Sequence, residues 1–325
     1  MARRLKRTGG ARGTSSAPSR RTRRLALAVG LLFGLASAGC ANLDTREVAS
    51  RIDLVILATD QETEHELLQR LRNVENLAAL RAGKSAWSRG HLTGARDGSL
   101  YTILVGQIGG RDEATTEMIT RRAAEIWRPR YVLLLGTTLA IANEVPLGAV
   151  GLTTLTCDFE LDRFEKFRDT GHCYRPDGGL LTAALAVADE WKTTAKAETG
   201  RAGCSPPQVT KLAALSGQGS PGPKFVEVAT KISQELHRGL IVEREGVFAA
   251  KAVETLRHEM REPIGFLMIR GVSETRSPRR LREADRKARG SKQRQLEKTC
   301  AARDTADFAV ELIRRRWPVA SRTKR

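Results

Sequence analysis

Acidic residues that follow two predicted strands could carry chemistry in this 325-residue chain. Glu243 and Glu245 come directly after the apolar run 240–242. Glu274 follows a second apolar run, residues 264–269. Carboxylates can donate or accept protons, and they can hold hydroxyl groups through hydrogen bonds. Because ligands of open α/β sheets bind at the carboxyl ends of the strands, both groups are expected at one edge of a sheet.

A helix is predicted between these two strands. Apolar residues recur at helical spacing from Val247 to Met260, and Pro263 ends the pattern. Near the start of the chain, residues 52–58 form an almost continuous apolar run that is typical of a buried strand. A helix predicted over residues 62–72 follows it, and its first turn contains Glu64. This third carboxylate therefore also follows a strand.

The remaining elements repeat the same alternation. Further strands are predicted at residues 100–105, 131–135, 150–155 and 211–215, and further helices at 111–127, 179–192, 225–236 and 295–316. Turns are predicted at residues 106–110 and 136–138, and loops at 158–176 and 193–208. Alternating strands and helices favour an α/β fold. We expect a single three-layer domain, with a central, mostly parallel but mixed sheet and helices on both faces.

The N-terminal segment is typical of a secretory signal. Residues 1–39 contain nine Lys or Arg and no acidic residue, and the uncharged segment 25–39 ends in Ser-Ala-Gly before Cys40. A basic region, an apolar region and small residues at the end are the parts of a signal peptide. The apolar region is shorter than the roughly 20 residues that span a bilayer. An ordinary signal peptide and an uncleaved anchor are two interpretations of this segment. A third interpretation, a lipoprotein signal, follows from the residues around Cys40.

The segment resembles a bacterial lipoprotein signal because Cys40 directly follows Ala-Gly. The resemblance implies cleavage before Cys40, attachment of lipid to Cys40, and a membrane-anchored protein of the cell envelope that faces the periplasm. We predict a signal peptide at 1–39, a linker at 40–50, a domain at 51–318 and a basic tail at 319–325.

Positive charge is concentrated at the two ends of the chain. The net charge is +18, to which residues 1–39 contribute +9 and residues 275–325 contribute +11, so that residues 40–274 carry −2. The basic stretch 276–294 contains no aromatic residue. Surfaces that bind single-stranded nucleic acid combine basic with aromatic side chains. We predict no nucleic-acid partner. Residues 275–294 are predicted to be a flexible insertion, and contact with anionic lipid is the alternative.

Four cysteines remain besides Cys40. In an oxidising periplasm they could form two disulfides in three connectivities, and Cys157 with Cys173 fits because the two bracket one predicted loop. Free buried thiols are equally compatible with the sequence. The five histidines show no metal-binding spacing and no cofactor motif is present, so we predict neither a metal nor a cofactor.

Several motifs resemble the nucleoside phosphorylase and nucleosidase superfamily, which includes purine and uridine phosphorylases and methylthioadenosine/S-adenosylhomocysteine nucleosidases. Residues 242–246, V-E-R-E-G, resemble the V-E-M-E-G/A motif that holds ribose, and residues 269–274, I-R-G-V-S-E, resemble R-G/A-I-S-D. Residues 60–68 are similar to the family's acidic segment after the first strand. The motifs follow the family order over residues 52–313.

The resemblance implies a role for each matching residue. Glu64 would activate water, Glu245 would bind ribose hydroxyls, and Glu274 would protonate the purine with the help of Ser273. These three separate roles suit cleavage of a glycosidic bond through an oxocarbenium-like transition state. Other residues at family positions are candidates for substrate binding: Gly109, Gly136, Thr137, Phe225, Glu243 and Arg244. A homo-oligomer is left open, because relatives commonly form dimers or hexamers.

The sequence departs from the family at five positions. Glu274 replaces Asp, Arg244 replaces Met, Leu139 replaces Gly, and Ala149 and Pro223 each replace Asp. A nucleosidase acting on a purine nucleoside or thionucleoside is our first hypothesis. The alternatives are a catalytically impaired nucleoside- or base-binding lipoprotein, a phosphorolytic phosphorylase and a structural envelope lipoprotein. Hydrolysis is favoured over phosphorolysis, because Leu134 stands where phosphorylases of the family have an Arg before the turn.

Most candidate residues also have a structural explanation. Glu62, Glu64 and Glu66 could simply form the acidic first turn of a helix, which the helix dipole favours. Glu274 could form a surface ion pair with Arg276 or Arg279. Phe225 could belong to the core, and Arg270 at a strand end could be structural.

Overall fold

A computed structural model describes residues 52–77, 86–108, 113–141, 145–158, 173–197, 204, 208–216, 223–235, 239–261, 263–276 and 290–317, without the side chains of 195–197, 223–225 and 235. The strands are β1 (Leu54–Ala58), β2 (Arg72–Asn76), β3 (Trp87–Thr93), β4 (Leu100–Gln107), β5 (Tyr131–Ile141), β6 (Ala149–Asp158), β7 (Cys173–Tyr174), β8 (Gln208–Ser216), β9 (Gly239–Glu243) and β10 (Gly265–Arg276). The helices are α1 (Gln61–Leu68), α2 (Glu113–Trp127), α3 (Gly178–Ala197), α4 (Pro223–Glu235), α5 (Gly246–Met260) and α6 (Ser291–Arg316).

The ten described strands belong to one mixed sheet, in the order β10-β6-β8-β9-β5-β1-β4-β3-β2 with β7 beside β6. The predicted α/β class with a mixed central sheet is confirmed. The sheet is not simply open, however, because β10 also pairs with β5 and closes five strands into a ring. It is also less parallel than expected, since β6, β7, β9 and the hairpin strands β2 and β3 contribute antiparallel pairings.

Helices cover both faces of the sheet, as the alternation of elements predicts. Val55 and Leu57 of β1 pack in one core cluster with apolar residues of α2 and α5. Leu54 and Ile56 pack in a second cluster with residues of α1, α3 and α6. Because successive strand residues point to opposite faces, the continuous apolar run of β1 supplies both clusters.

The central strand β5 changes partners halfway along its length. Its first half pairs with β1 in parallel, with Leu54 opposite Tyr131 and Ala58 opposite Leu135. Its last residues pair with β9 in the antiparallel direction, with Val242 opposite Leu139. Since β1 and β9 run in opposite directions along β5, their carboxyl ends meet beside residues 136–138.

The turn predicted at residues 136–138 is therefore wrong, because these residues continue β5. Their pairing with residues 270–272 of β10 keeps the backbone extended where the local sequence, glycine followed by two threonines, indicates a turn. Tertiary pairing also shortens the helix predicted over 62–72. That helix ends at Leu68, and the exposed residues of β2 pair with β3 instead.

Other expectations meet the structure in part. Residues 193–197, predicted as loop, lie in α3, and β10 extends to Arg276 rather than ending near Ile269. Residues 275–276 lie in β10 and residues 291–294 in α6, while residues 277–289 of the predicted flexible insertion lie outside the described residues.

Two disulfides link described cysteines. Cys157 is bonded to Cys173, as the bracketed loop predicts, and this bond joins the adjacent strands β6 and β7. Cys204 is bonded to Cys300 of α6 across 96 residues of sequence. Within the described ranges, no helix combines the length and the hydropathy that crossing a membrane requires.

Candidate functional site

A buried arginine links the ends of three elements beside residues 136–138. The side chain of Arg270, on β10, is 0% exposed. Its Nη2 donates to Oε2 of Glu243 at 2.6 Å, and the same nitrogen lies 3.4 Å from Oε2 of Glu245. Its Nη1 donates to Oγ1 of Thr59, just after β1, at 2.5 Å. One guanidinium therefore contacts residues that follow β1 and β9.

Arg270, Thr59, Glu243 and Glu245 form one cluster, and Glu243 belongs to its scaffold. Its Oε2 accepts hydrogen bonds from the backbone N–H groups of Glu245 and Gly246, at 2.9 and 2.6 Å, in addition to the one from Arg270. These N–H groups open α5, so the carboxylate caps the positive end of a helix. Its Oε1 is buried beside Gly246 without a hydrogen-bond partner among the described residues. The ligand-binding role predicted for Glu243 thus competes with a structural one.

Glu245 is the carboxylate of this group that retains contact with solvent. Its side chain is 11% exposed, compared with 2% for Glu243. Burial raises the pKa of Glu245, the charge of Glu243 acts in the same direction, and the guanidinium of Arg270 opposes them. A buried carboxylate at a helix start, with one arginine shared between two acids, has the character of a functional group.

Asp60 joins the start of α1 to the middle of β5. Its Oδ1 accepts the backbone N–H of Thr63 at 2.8 Å, which makes Asp60 the N-cap of α1. Its Oδ2 accepts the backbone N–H of Thr137 at 2.7 Å and lies 3.2 Å from the Thr137 hydroxyl. Thr137 is thereby engaged with the protein, and α1 is held against the point where β5 changes partners.

The three alternating glutamates of α1 have different surroundings. Glu62 accepts hydrogen bonds from Lys298 and Gln295 of α6, at 2.8 and 3.4 Å. Although burial opposes its ionisation, these bonds lower the pKa of Glu62 overall. Glu66 pairs with Arg70 at 2.9 Å, and Arg70 also binds Asp307 of α6. Glu62, in the first turn of α1, and Glu66, in the next turn, thus have structural roles.

Glu64 differs from its two neighbours. No side chain among the described residues pairs with its carboxylate, and burial alone raises its pKa. A carboxylate whose pKa is raised toward neutral pH is a better general base than an ordinary one. Of the three glutamates, Glu64 therefore has the surroundings expected of a functional group.

The close approach of two side chains, Thr59 and Arg270, to the backbone explains why Gly136 stands in this strand. A Cβ atom at this position would lie 1.8 Å from Oγ1 of Thr59 and 2.6 Å from Nη1 of Arg270. Nearby, the Thr138 hydroxyl donates to the carbonyl of Val242 at 2.9 Å, and the Ser273 hydroxyl donates to the carbonyl of Thr138 at 3.2 Å. Ser273 is thus joined to the same part of β5.

The remaining predicted residues are exposed or lie outside the described residues. Glu274 is 48% exposed and pairs with Arg276 at 3.1 Å, and no described residue of the cluster contacts its carboxylate. Arg244 is exposed between Glu243 and Glu245. Three predicted sites have no described side chain, namely Cys40, Gly109 and Phe225.

Sequence reasoning missed Thr59 and Asp60 and left Arg270 as a structural residue. A signal existed for Asp60, because an aspartate before a helix is a frequent N-cap. For Arg270 the motif I-R-G-V-S-E was the signal, whereas no local signal marks Thr59, whose contact with Arg270 spans 211 positions of sequence.

Neither the family models nor the curated proteins that were compared match this sequence. Solved structures do match it. The 5'-methylthioadenosine/S-adenosylhomocysteine nucleosidase of Neisseria meningitidis, in complex with methylthio-immucillin-A, aligns over 81% of this chain and 99% of its own, with a TM-score of 0.56 and 16% identity. The nucleosidase of Colwellia psychrerythraea, in complex with adenine, aligns over 81% and 95%, with a TM-score of 0.58 and 13% identity.

The Campylobacter jejuni nucleosidase also aligns, over 81% of this chain and 99% of its own, with a TM-score of 0.58 and 13% identity. These similarities show that the chain has the fold of these nucleosidases. At such low identity they show the fold alone, and the chemistry has to be argued from the residues.

Proposed function

We propose that this chain hydrolyses the N-glycosidic bond of a purine nucleoside or thionucleoside. The observation that carries the proposal is the pair Glu64 and Glu245, two partly buried carboxylates with raised pKa values that follow β1 and β9 in a nucleosidase fold. The hydrogen bonds of Asp60 and Arg270 join the segments that bear them.

Each carboxylate has a distinct task in this proposal. Glu245 accepts hydrogen bonds from ribose hydroxyls and stabilises the positive charge that develops on the sugar. Glu64 takes a proton from the attacking water as its oxygen bonds to the anomeric carbon. The bond from that carbon to the base nitrogen breaks, and the departing purine accepts a proton. The resemblance assigns this last proton to Glu274, which would first have to leave its ion pair with Arg276.

Hydrolysis suits these surroundings better than phosphorolysis. A phosphate nucleophile needs exposed cations or free amide groups. Arg270 is fully buried and engaged with Glu243 and Thr59, and the backbone N–H of Thr137 is taken by Asp60. Arg244 is exposed, but it stands in the sequence between two glutamates. Position 134 holds a leucine that is fully buried in the core. The acidic side chains would also repel phosphate.

The test is release of free base by the purified full-length chain from a panel of purine nucleosides and thionucleosides, with and without phosphate. We expect release that does not require phosphate. Glu64→Gln and Glu245→Gln should each lower kcat/KM by about 100-fold or more. Glu62→Gln and Glu66→Gln serve as matched controls and should retain activity, because those carboxylates bind Lys298 and Arg70.

Two results would contradict the proposal. One is the absence of base release from every nucleoside of the panel, and the other is full activity of both Glu64→Gln and Glu245→Gln. Glu274→Gln separates the proton donor from the other roles: a loss of about 100-fold supports Glu274 as the acid, whereas an unchanged rate assigns the proton to another group.

Binding without turnover is the second candidate function. The exposed cation of Arg244 beside Glu245, and the ion pair that occupies Glu274, are the observations that favour it. Calorimetric titration with nucleosides distinguishes the two functions. Saturable binding without product supports a binding protein, and absence of binding contradicts both functions.

We further propose that the chain is a lipid-anchored protein of the bacterial cell envelope, facing the periplasm. The signal-like residues 1–39 with Cys40, and two disulfides that suit an oxidising compartment, support this location. In a bacterial host, wild type should incorporate labelled fatty acid and partition with membranes. Cys40→Ala should lose the label, and a labelled Cys40→Ala variant would contradict anchoring at this residue.

A further inference from the structure

Arg270 contacts the segments that follow β1 and β9 at once, yet it has no exposed surface with which to touch a ligand. We propose that Arg270 is a positioning residue that holds the two halves of the site together. One half is Glu245 at the start of α5, and the other is the segment from Thr59 to Glu64. This inference rests on the proposed function, because it assigns a task within the same site.

The first half is held through a shared nitrogen. Nη2 of Arg270 is 2.6 Å from Oε2 of Glu243 and 3.4 Å from Oε2 of Glu245. Glu243 is itself immobilised by two backbone N–H groups of α5. The guanidinium is therefore fixed by Glu243, and its second, longer contact restricts where the Glu245 carboxylate can lie.

The second half is held through the Thr59 hydroxyl. Nη1 of Arg270 donates to this hydroxyl at 2.5 Å, over the bare backbone of Gly136. The next residue, Asp60, caps α1 and binds Thr137, so a displacement of Thr59 would be passed to the helix that bears Glu64. Arg270 thus sets the position of one carboxylate directly and of the other through the chain.

Charge reinforces the geometric argument. Glu243 and Glu245 are both buried, and among the residues that the structure describes Arg270 is the cation that lies within ion-pair distance of both. Its removal would leave two like charges close together without compensation, which is costly in a buried site. The positive charge of Arg270 also lowers the pKa of Glu245, against the effects of burial and of Glu243. Loss of the arginine should therefore shift the ionisation of Glu245 to higher pH.

The experiment compares Thr59→Val, Thr59→Ser and Arg270→Lys with wild type in the full-length chain. Valine has the shape of threonine but lacks the hydroxyl, whereas serine has the hydroxyl. We expect Thr59→Val and Arg270→Lys to lower kcat by about 10- to 100-fold with a smaller effect on KM, and Thr59→Ser to restore most of the rate. Arg121→Lys, at an exposed ion pair on α2, is the matched control and should behave as wild type.

A pH profile separates positioning from a general loss of stability. In folded Arg270→Lys, the limb of the kcat/KM profile that reports Glu245 should move, because the lysine ammonium cannot reproduce both contacts. The Thr59 variants should keep the limb, since the charge of Arg270 remains. If Arg270→Lys does not fold, the Thr59 pair still tests the proposal through its rescue by serine.

The outcomes distinguish this inference from the function on which it rests. An active wild type with unchanged kcat in Thr59→Val, or with no rescue by serine, overturns the positioning role and leaves the function standing. If the wild type binds nucleosides without turnover, the binding constant is compared instead: weaker binding by Thr59→Val that Thr59→Ser restores supports the positioning role, and unchanged binding overturns it. A wild type that neither binds nor cleaves nucleosides removes the function, and the positioning role with it.

Discussion

Replacement of Gly136 by alanine is the most direct test of the packing at the centre of β5. The added Cβ would lie 1.8 Å from Oγ1 of Thr59 and 2.6 Å from Nη1 of Arg270. Both distances are shorter than 3.0 Å, the shortest separation that Cβ atoms normally have from other heavy atoms. In an ordinary strand position, alanine would be slightly better than glycine because it restricts the unfolded chain. Here the methyl group has to displace a threonine that holds a buried charge.

The magnitude follows from the two interactions that the methyl group disturbs. Loss of the hydrogen bond between Thr59 and the charged Arg270 costs about 1.5–3 kcal/mol. Overpacking against the neighbouring atoms costs about 1–3 kcal/mol more. We therefore expect Gly136→Ala to lower the free energy of unfolding by about 2.5–6 kcal/mol, and to lower Tm by roughly 10 °C.

Thermal and urea unfolding, followed by circular dichroism with the disulfides intact, measure this effect. Gly178→Ala is the matched control, because a Cβ at Gly178 would meet no atom within 4 Å. This control should leave Tm unchanged or raise it slightly. The double variant Gly136→Ala/Thr59→Ala removes the closest clash, so it should be more stable than the sum of the single effects by about 1 kcal/mol or more.

Two results would refute the reasoning. A Gly136→Ala variant as stable as Gly178→Ala would mean that Thr59 and Arg270 do not pack over this backbone. If the stability losses of the two single variants add up to that of the double variant, the methyl group does not displace the Thr59 side chain. Either result would also weaken the case for Arg270 as the link between the two halves of the site.

Two further predictions concern stability. Folding raises the pKa of Glu245 above its ordinary value of 4.5. Just above pH 4.5 the folded protein therefore binds more protons than the unfolded chain. The free energy of unfolding should fall as pH rises through that range. Glu245→Gln should flatten this dependence by about 1.4 kcal/mol for each unit of the pKa shift, and urea titrations between pH 4 and 8 would show it; an unchanged slope argues against a raised pKa. Loss of the Cys204–Cys300 bond, which spans 96 residues, should cost about 4–5 kcal/mol, compared with about 3 kcal/mol for Cys157–Cys173, which spans 16. Urea unfolding of the paired Cys→Ala variants tests this order, and a larger loss for the shorter loop would contradict the loop-entropy explanation.

Much of the fold could be predicted from the sequence because its signals are local. The apolar run of β1 and the unit formed by β9, α5 and β10 have the periodicity of their secondary structures, and the structure confirms each of them. The candidate carboxylates Glu64 and Glu245 could be proposed because the motifs that contain them resemble those of the nucleoside phosphorylase and nucleosidase superfamily. Which of the alternating glutamates of α1 lacks a side-chain partner in the described part of the chain could not be predicted, since α6, more than 200 residues later, supplies Lys298 to Glu62 and Asp307 to Arg70.

The tertiary structure alone closes the sheet and assembles the site. Local sequence at residues 136–138 indicates a turn, but pairing with β10 keeps the backbone extended, and so do the hydrogen bonds that Thr137 donates to Asp60 and Thr138 donates to Val242. Sequence alone identifies a buried strand by its apolar residues, whereas the direction of its neighbours depends on the whole chain. β1 runs parallel to β5 and β9 runs antiparallel to it, and for that reason the carboxylates that follow these two strands belong to the same part of the molecule.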